Sequence, residues 1–207
     1  MALSFFHPST LLISGPTGSG KTAFVIRLIN ENLFSKTPSR IVWFYNEFQP
    51  LYETIHKEVE FKKDCNETFY KGLSTSNTNL VVLDDQMTSL RDSQVLTKLF
   101  TEGSHHRNLS IIYIVQNLFD RGKSQRNVSL NAQYIILFKN PRDNAQIQCL
   151  SRQIYGRNSK FLVDAYIDAT KQPYGYLVLD LRPETEESFR VRTRVFKGEV
   201  CEVYQPL

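Results

Sequence analysis

Five runs of almost purely apolar residues punctuate the chain: TLLIS at 10–14, RIVWFY at 40–45, LVVL at 80–83, LSIIYIV at 109–115 and AQYIILF at 132–138. Runs this short and this uniform predict strands buried on both faces, as in a parallel sheet. Between them the apolar spacing changes to that of a helix. KTAFVIRLINENLF predicts a helix over 21–34. Val95, Leu96, Leu99 and Phe100 share one face of a second, which Asp92 or Ser93 can cap and Gly103 can close. Pro141 stops the fifth strand ahead of a helix through 146–155, a further helix covers 160–169, and a weaker one follows Pro50. Strands alternating with helices predict an α/β sheet flanked by helices.

The carboxyl-terminal end changes character. YGYLVLDLR and FRVRTRVFK alternate polar and apolar residues around PETEES, which predicts an antiparallel hairpin at one edge of the sheet, within residues 171–207. Residues 57–79 are polar and irregular and read as variable surface. With 207 residues and 41% hydrophobic content, the chain fits one domain, 1–207, with an ample core. No apolar stretch approaches the ~20 residues of a membrane span, and the amino terminus does not read as a secretion signal, so an intracellular, membrane-free protein is expected. Cys65, Cys149 and Cys201 are too widely separated for metal-ligand spacing and are expected to be free thiols. The adjacent His105 and His106 suit no metal pair.

The chemistry starts at GPTGSGKT. This octapeptide, Gly15, Pro16, Thr17, Gly18, Ser19, Gly20, Lys21 and Thr22, lies between the first strand and the first helix. In that context it is a phosphate-binding loop: glycines accept dihedrals closed to other residues, successive N–H groups face an anion, Lys21 reaches the β- and γ-phosphates of ATP and the Thr22 hydroxyl binds Mg²⁺. A second acidic motif is needed beside it, and LVVLDDQM supplies one. Asp84 at the end of a buried strand is the candidate Mg²⁺ anchor and Asp85 the candidate general base, two carboxylates expected to be buried together. IIYIVQN ends in Gln116, placed to orient water or sense the γ-phosphate. Arg107 stands at the other end of that strand, remote from its own nucleotide and so a candidate arginine finger toward a neighbouring subunit. The net charge of +4 is only mildly basic. Arg121, Lys123 and Arg126 concentrate it in a polar stretch read as a loop that grips DNA phosphates, with the strand carrying Arg190 to Arg194 as the second place for that role.

GPTGSGKT, LVVLDDQM, GSHHRNLSIIYIVQNLF and YIILFKNPRD, in this order, resemble the DNA-packaging ATPases of the FtsK/HerA superfamily, specifically the poxvirus-type packaging ATPase found in adintoviruses and Polinton (Maverick) elements. The resemblance covers nearly the whole chain and is weakest over 57–79. It implies a P-loop NTPase fold of RecA/FtsK type, with an additional strand bearing Gln116 between the loop strand and the Asp84 strand. It also implies a homo-oligomeric ring and ATP hydrolysis that drives double-stranded DNA into a preformed capsid, docked at a capsid or portal vertex protein in the nucleus or cytoplasm. The family's usual base after the metal aspartate is glutamate; this chain has Asp85. A related DNA pump or helicase, and a scaffold that binds ATP without turnover, are the alternative readings.

Overall fold

The computed structural model describes residues 4–85, 94–103, 107–119 and 123–206, with backbone alone for 123–125. The chain runs β1 (Thr10–Ser14), α1 (Lys21–Asn30), β2 (Arg40–Phe44), a 3₁₀ turn (Pro50–Thr54), β3 (Glu60–Lys62), α2 (Glu67–Lys71) and β4 (Asn79–Asp84). It continues through α3 (Gln94–Lys98), a π-helical turn (Leu99–Gly103), β5 (Leu109–Val115), α4 (Lys123–Asn131), β6 (Tyr134–Phe138), α5 (Asn144–Tyr155), α6 (Ser159–Ala169), β7 (Tyr176–Asp180), β8 (Val191–Thr193) and β9 (Glu202–Tyr204). Among the described residues the strands form one sheet in the order β3-β2-β4-β5-β1-β6-β7-β8-β9. From β3 to β6 the pairings are parallel; β7, β8 and β9 are antiparallel additions.

Both faces of the sheet are covered, which is why its central strands are buried at every position and mostly apolar. Leu12, Val42, Val81, Ile111, Tyr113 and Ile135 point to the face packed by α3 to α6, while Leu11, Ile13, Trp43, Val82, Ile112 and Ile136 point to the face packed by α1. The alternation is the two-residue period of a pleated strand. The strand bearing Gln116 does lie between the loop strand and the Asp84 strand, since β5 pairs with β1 on one side and β4 on the other. Register then decides the site: Ser14 faces Val115 and Asp84 faces Ile114, so Gly15, Asp85 and Gln116 leave the sheet at the same end.

Several elements differ from the sequence expectation. Helix α1 ends at Asn30 rather than 34, because Asn32 takes a left-handed φ of 51° and the following residues fold back so that Phe34 bridges Phe5. The polar stretch read as a loop around Arg126 is helix α4, anchored by the fully buried Val128. The irregular 57–79 segment contains β3, a three-residue parallel strand, and α2, capped by Asn66, whose Oδ1 accepts from Phe69 N at 2.9 Å. The hairpin β7–β8 is present, and β9 extends it by a third strand. The caps expected at Asp92 and Ser93, and His105 and His106, lie outside the described residues. All three cysteines are free.

A buried ion cluster fastens the antiparallel strands. The Asp180 carboxylate accepts from Arg182 Nε and Nη2 at 3.0 Å each and from Arg192 Nη2 at 2.7 Å, with Asp180 and Arg192 both buried. In the strand carrying Arg190 to Arg194, the second place read for DNA contacts, Arg190 bonds Glu187 and the carbonyls of Asp180 and Arg182, and exposed Arg194 pairs with Glu202 at 2.7 Å.

Candidate nucleotide-binding site

Residues 15–20 carry β1 into the amino terminus of α1. Gly20 takes φ of 102°, a region that a β-carbon makes costly. Gly15 is required for a different reason from the dihedral freedom expected of it: a Cβ there would lie 2.7 Å from the Cβ of Phe138 on β6. The neighbouring strand leaves room for backbone only. Helix α1 has no side-chain cap at its start and no acidic residue in its first turn, so its dipole and N–H groups are available to an anion.

Lys21 is 8% exposed, and its Nζ donates to the Pro16 carbonyl at 2.9 Å, folded back over the loop it belongs to. Burial holds its pKa below the ordinary lysine value, and the charges of Asp84 and Asp85 oppose that shift. Across from it, Asp84 is buried at the end of β4 and its Oδ2 accepts from Thr22 Oγ1 at 3.3 Å and from Tyr52 Oη at 3.0 Å. Burial raises the Asp84 pKa; the two hydrogen bonds lower it, and the nearby Asp85 raises it further. A carboxylate held this way gains by meeting a cation. Tyr52 was not anticipated: it comes from the 3₁₀ turn, 32 residues from Asp84 in sequence, and its ring stacks on Phe61 at 5.6 Å and 20°. Burial, followed by the Asp84 charge, keeps its phenol protonated, so it donates.

Asp85 corrects the expectation of two carboxylates buried together. It is exposed and takes a left-handed φ of 54°, a region aspartate tolerates better than most residues, so its side chain leaves the direction set by β4. Asn46 donates to its carbonyl and pins that backbone. Gln116 Nε2 points to Asp85 Oδ1 at 3.5 Å, the long limit of a hydrogen bond. Asn117 makes a turn instead, its Oδ1 accepting from Phe119 N. Thr17, Gly18, Lys21, Thr22, Asp84, Asp85 and Gln116 together line a cavity of about 150 Å³. One hydroxyl and one buried carboxylate suit Mg²⁺, which keeps several waters and takes further oxygens from phosphate. Among the described residues no cluster of three or more His, Cys, Asp or Glu offers an all-protein metal cage.

Arg107 stands at the opposite end of β5 from Gln116, as expected. Its guanidinium is engaged within its own chain: Nη1 donates to the Leu73 carbonyl at 3.1 Å and the group lies 5.3 Å from the Tyr70 ring centroid. Arg126 is exposed on α4, Lys123 begins that helix, and Arg121 lies outside the described residues.

Strand order, loop and paired acids define the fold as that of the P-loop ATPases. The structure is similar to the DNA-packaging ATPase B204 from Sulfolobus turreted icosahedral virus, at TM-score 0.59 and 15% identity over 96% of this chain and 98% of that one. B204 from Sulfolobus turreted icosahedral virus 2, in complex with ATP-gammaS, matches at TM-score 0.57 and 16% identity over 96% and 97%. A KaiC-like protein from Pyrococcus horikoshii matches at 0.50 and 15% over 96% and 90%. At these identities the likeness is one of fold. No protein family and no curated protein is matched by the sequence. Among the described residues no helix is long and apolar enough to cross a membrane.

Proposed function

We propose that this chain is an ATP-hydrolysing motor that drives double-stranded viral DNA into a preformed capsid, working as a ring of identical subunits against a capsid or portal protein inside the host cell. The observation that carries the reading is the convergence of Lys21, Thr22, Asp84, Asp85 and Gln116 on one cavity at the end of three adjacent strands. Whole-length likeness in fold to a protein described as a genome packaging NTPase supports the choice of task.

Lys21 transfers its hydrogen bond from the Pro16 carbonyl to the β- and γ-phosphate oxygens, so the loop opens onto its ligand without refolding. Thr22 and Asp84 would hold Mg²⁺, which supplies charge neutralisation on the phosphates. Gln116 orients a water for in-line attack on the γ-phosphorus; Asp85 takes its proton as the bond to the β-phosphate oxygen breaks and ADP leaves. The carboxylate of Asp85 reaches one C–C bond less far than glutamate would, and its left-handed backbone swings it toward Gln116, which compensates for the shorter arm. Lys123 and Arg126 on α4, with Arg121 just before it, supply phosphate contacts to duplex DNA a few residues beyond Gln116.

Two measurements test this reading. Duplex DNA should stimulate ATP hydrolysis by the wild-type protein. Asp85→Asn should bind ATP with wild-type affinity yet lose turnover by roughly 10²–10⁴, the contribution of a positioned base. Equal loss of affinity and rate would make Asp85 a metal ligand, and wild-type protein that binds ATP without turnover would leave a scaffold. For Arg107, action in trans predicts that mixing Arg107→Ala with Lys21→Ala subunits restores partial activity where an intact arginine meets an intact loop. No recovery at any ratio, with subunit exchange verified, would leave Arg107 as the tie between β5 and the end of α2 seen within one chain.

A further inference from the structure

A second cavity, of about 300 Å³, opens on the other flank of the phosphate loop. The first is bounded by β4 and β5; this one is bounded by Gly20, Ala23 and Arg27 of the loop and α1, and by Phe138 and Tyr176 from β6 and β7, the strands on the opposite side of β1. Gly18 and Lys21 therefore line one cavity while Gly20 and Ala23 line the other, and the loop is the bridge between them. A nucleoside triphosphate whose terminal phosphate sits by Asp84 and Gln116 and whose phosphate chain follows the loop amides has its base left to place on the far side.

The far side is aromatic. Phe24 meets Phe138, Tyr176 and Phe196 edge-on at centroid distances of 5.9, 4.8 and 4.9 Å, forming a rigid floor, and Arg27 lies 4.1 Å over the Phe196 ring while bonded to Glu31 and Glu199. Over the mouth stands Tyr174, 71% exposed although it is a large aromatic side chain. Its backbone takes a left-handed φ of 61°, a conformation that costs free energy for any residue with a β-carbon and collects at ligand clamps. The turn that imposes it is fixed: Gly175 N bonds the Gln172 carbonyl at 3.0 Å, and a Cβ on Gly175 would lie 2.5 Å from the Ala169 carbonyl oxygen. A Cβ on Gly20 would meet the Tyr174 ring at 3.2 Å, so the ring rests directly against the loop backbone.

We propose that this cavity is the nucleobase subsite and that Tyr174 is its stacking platform, holding a planar heteroaromatic base between its ring and the floor around Phe24 and Phe138. The inference rests on the nucleoside triphosphate reading above and extends it to the base. Stacking on an aromatic face takes any base and favours the larger purine ring system, so the subsite prefers adenine or guanine to pyrimidines without excluding them. Tyr174 projects from a turn fixed by backbone contacts, and removing its exposed ring leaves the core untouched.

Binding of ATP, CTP and inorganic tripolyphosphate with Mg²⁺, measured by titration calorimetry on the wild-type protein, Tyr174→Ala and Tyr174→Phe, tests it. The expected result is a roughly tenfold loss of ATP affinity in Tyr174→Ala, from the stacking free energy of one base, with tripolyphosphate affinity unchanged, ATP preference over CTP narrowed, and ATP affinity retained in Tyr174→Phe. ATP affinity unchanged in Tyr174→Ala would overturn the inference. So would equal losses for ATP and tripolyphosphate, which would make Tyr174 a prop for the loop. Wild-type protein that binds tripolyphosphate as tightly as ATP would overturn the base subsite alone, whereas wild-type protein that binds neither would overturn the phosphate-loop reading and this inference with it.

Discussion

Lys21→Ala is expected to weaken ATP binding by about 100-fold or more while leaving the unliganded protein at least as stable as the wild type. The first effect follows from losing charge-assisted hydrogen bonds to two phosphates, each worth about 1.5–3 kcal/mol. The second is less obvious and comes from the burial of Lys21, whose Nζ donates to the Pro16 carbonyl. Burial depresses its pKa, which means that the charged form is held at a cost unless a phosphate is bound beside it. Removing the ammonium relieves that cost. Thermal unfolding with and without ligand reads both effects: at a ligand concentration 100 times Kd the wild type gains about 2.7 kcal/mol, roughly 5–10 °C for a chain of this size, and the variant gains almost nothing at the same concentration. A variant that unfolds well below wild type without ligand would show instead that Lys21 is a structural prop of the loop.

Asp180→Ala is expected to cost about 3–5 kcal/mol, because it leaves the buried Arg192 guanidinium without its carboxylate and removes the anchor of Arg182. Domains of this kind hold a total of about 5–15 kcal/mol, so the loss is a large fraction of the whole. Urea unfolding measures it directly. Asp180→Asn, which keeps one acceptor oxygen, should fall between the variant and the wild type. A midpoint for Asp180→Ala within experimental error of wild type would mean that Arg192 finds water or another acceptor.

The phosphate loop, the central strands and the edge hairpin were legible because their signals are local: strand, turn and helix follow one another within 21 residues, 10–30, and strands covered on both faces are mostly apolar runs. What sequence reading missed depends on contacts distant in sequence. Strand β3 is three half-exposed residues that pair with β2 and have no apolar run of their own. Helix α4 carries one fully buried apolar residue, Val128, among polar neighbours, so its periodicity is too weak to separate it from a loop. Tyr52 sits in an acid-rich stretch that looks like solvated surface, and only folding brings its hydroxyl to Asp84. Tyr174 looks like an ordinary turn residue until β6, β7 and α1 assemble around it. Asp85 was identified as a residue but misplaced in environment, because a left-handed φ cannot be read from two adjacent aspartates.

Among the described residues the sheet ends on both sides in a short strand, β3 and β9, each three residues long. Glu60 on β3 bonds Arg40 and Lys62, and Glu202 on β9 bonds Arg194, so charged side chains stand along both rims. A rim of that length and charge is a poor template for another chain's backbone, which guards a sheet this wide and this hydrophobic against stacking end to end into fibres. Edge-to-edge pairing of copies through continuous hydrogen-bonded ladders is disfavoured for the same reason, which leaves helices and loops as the surfaces open to contact between copies.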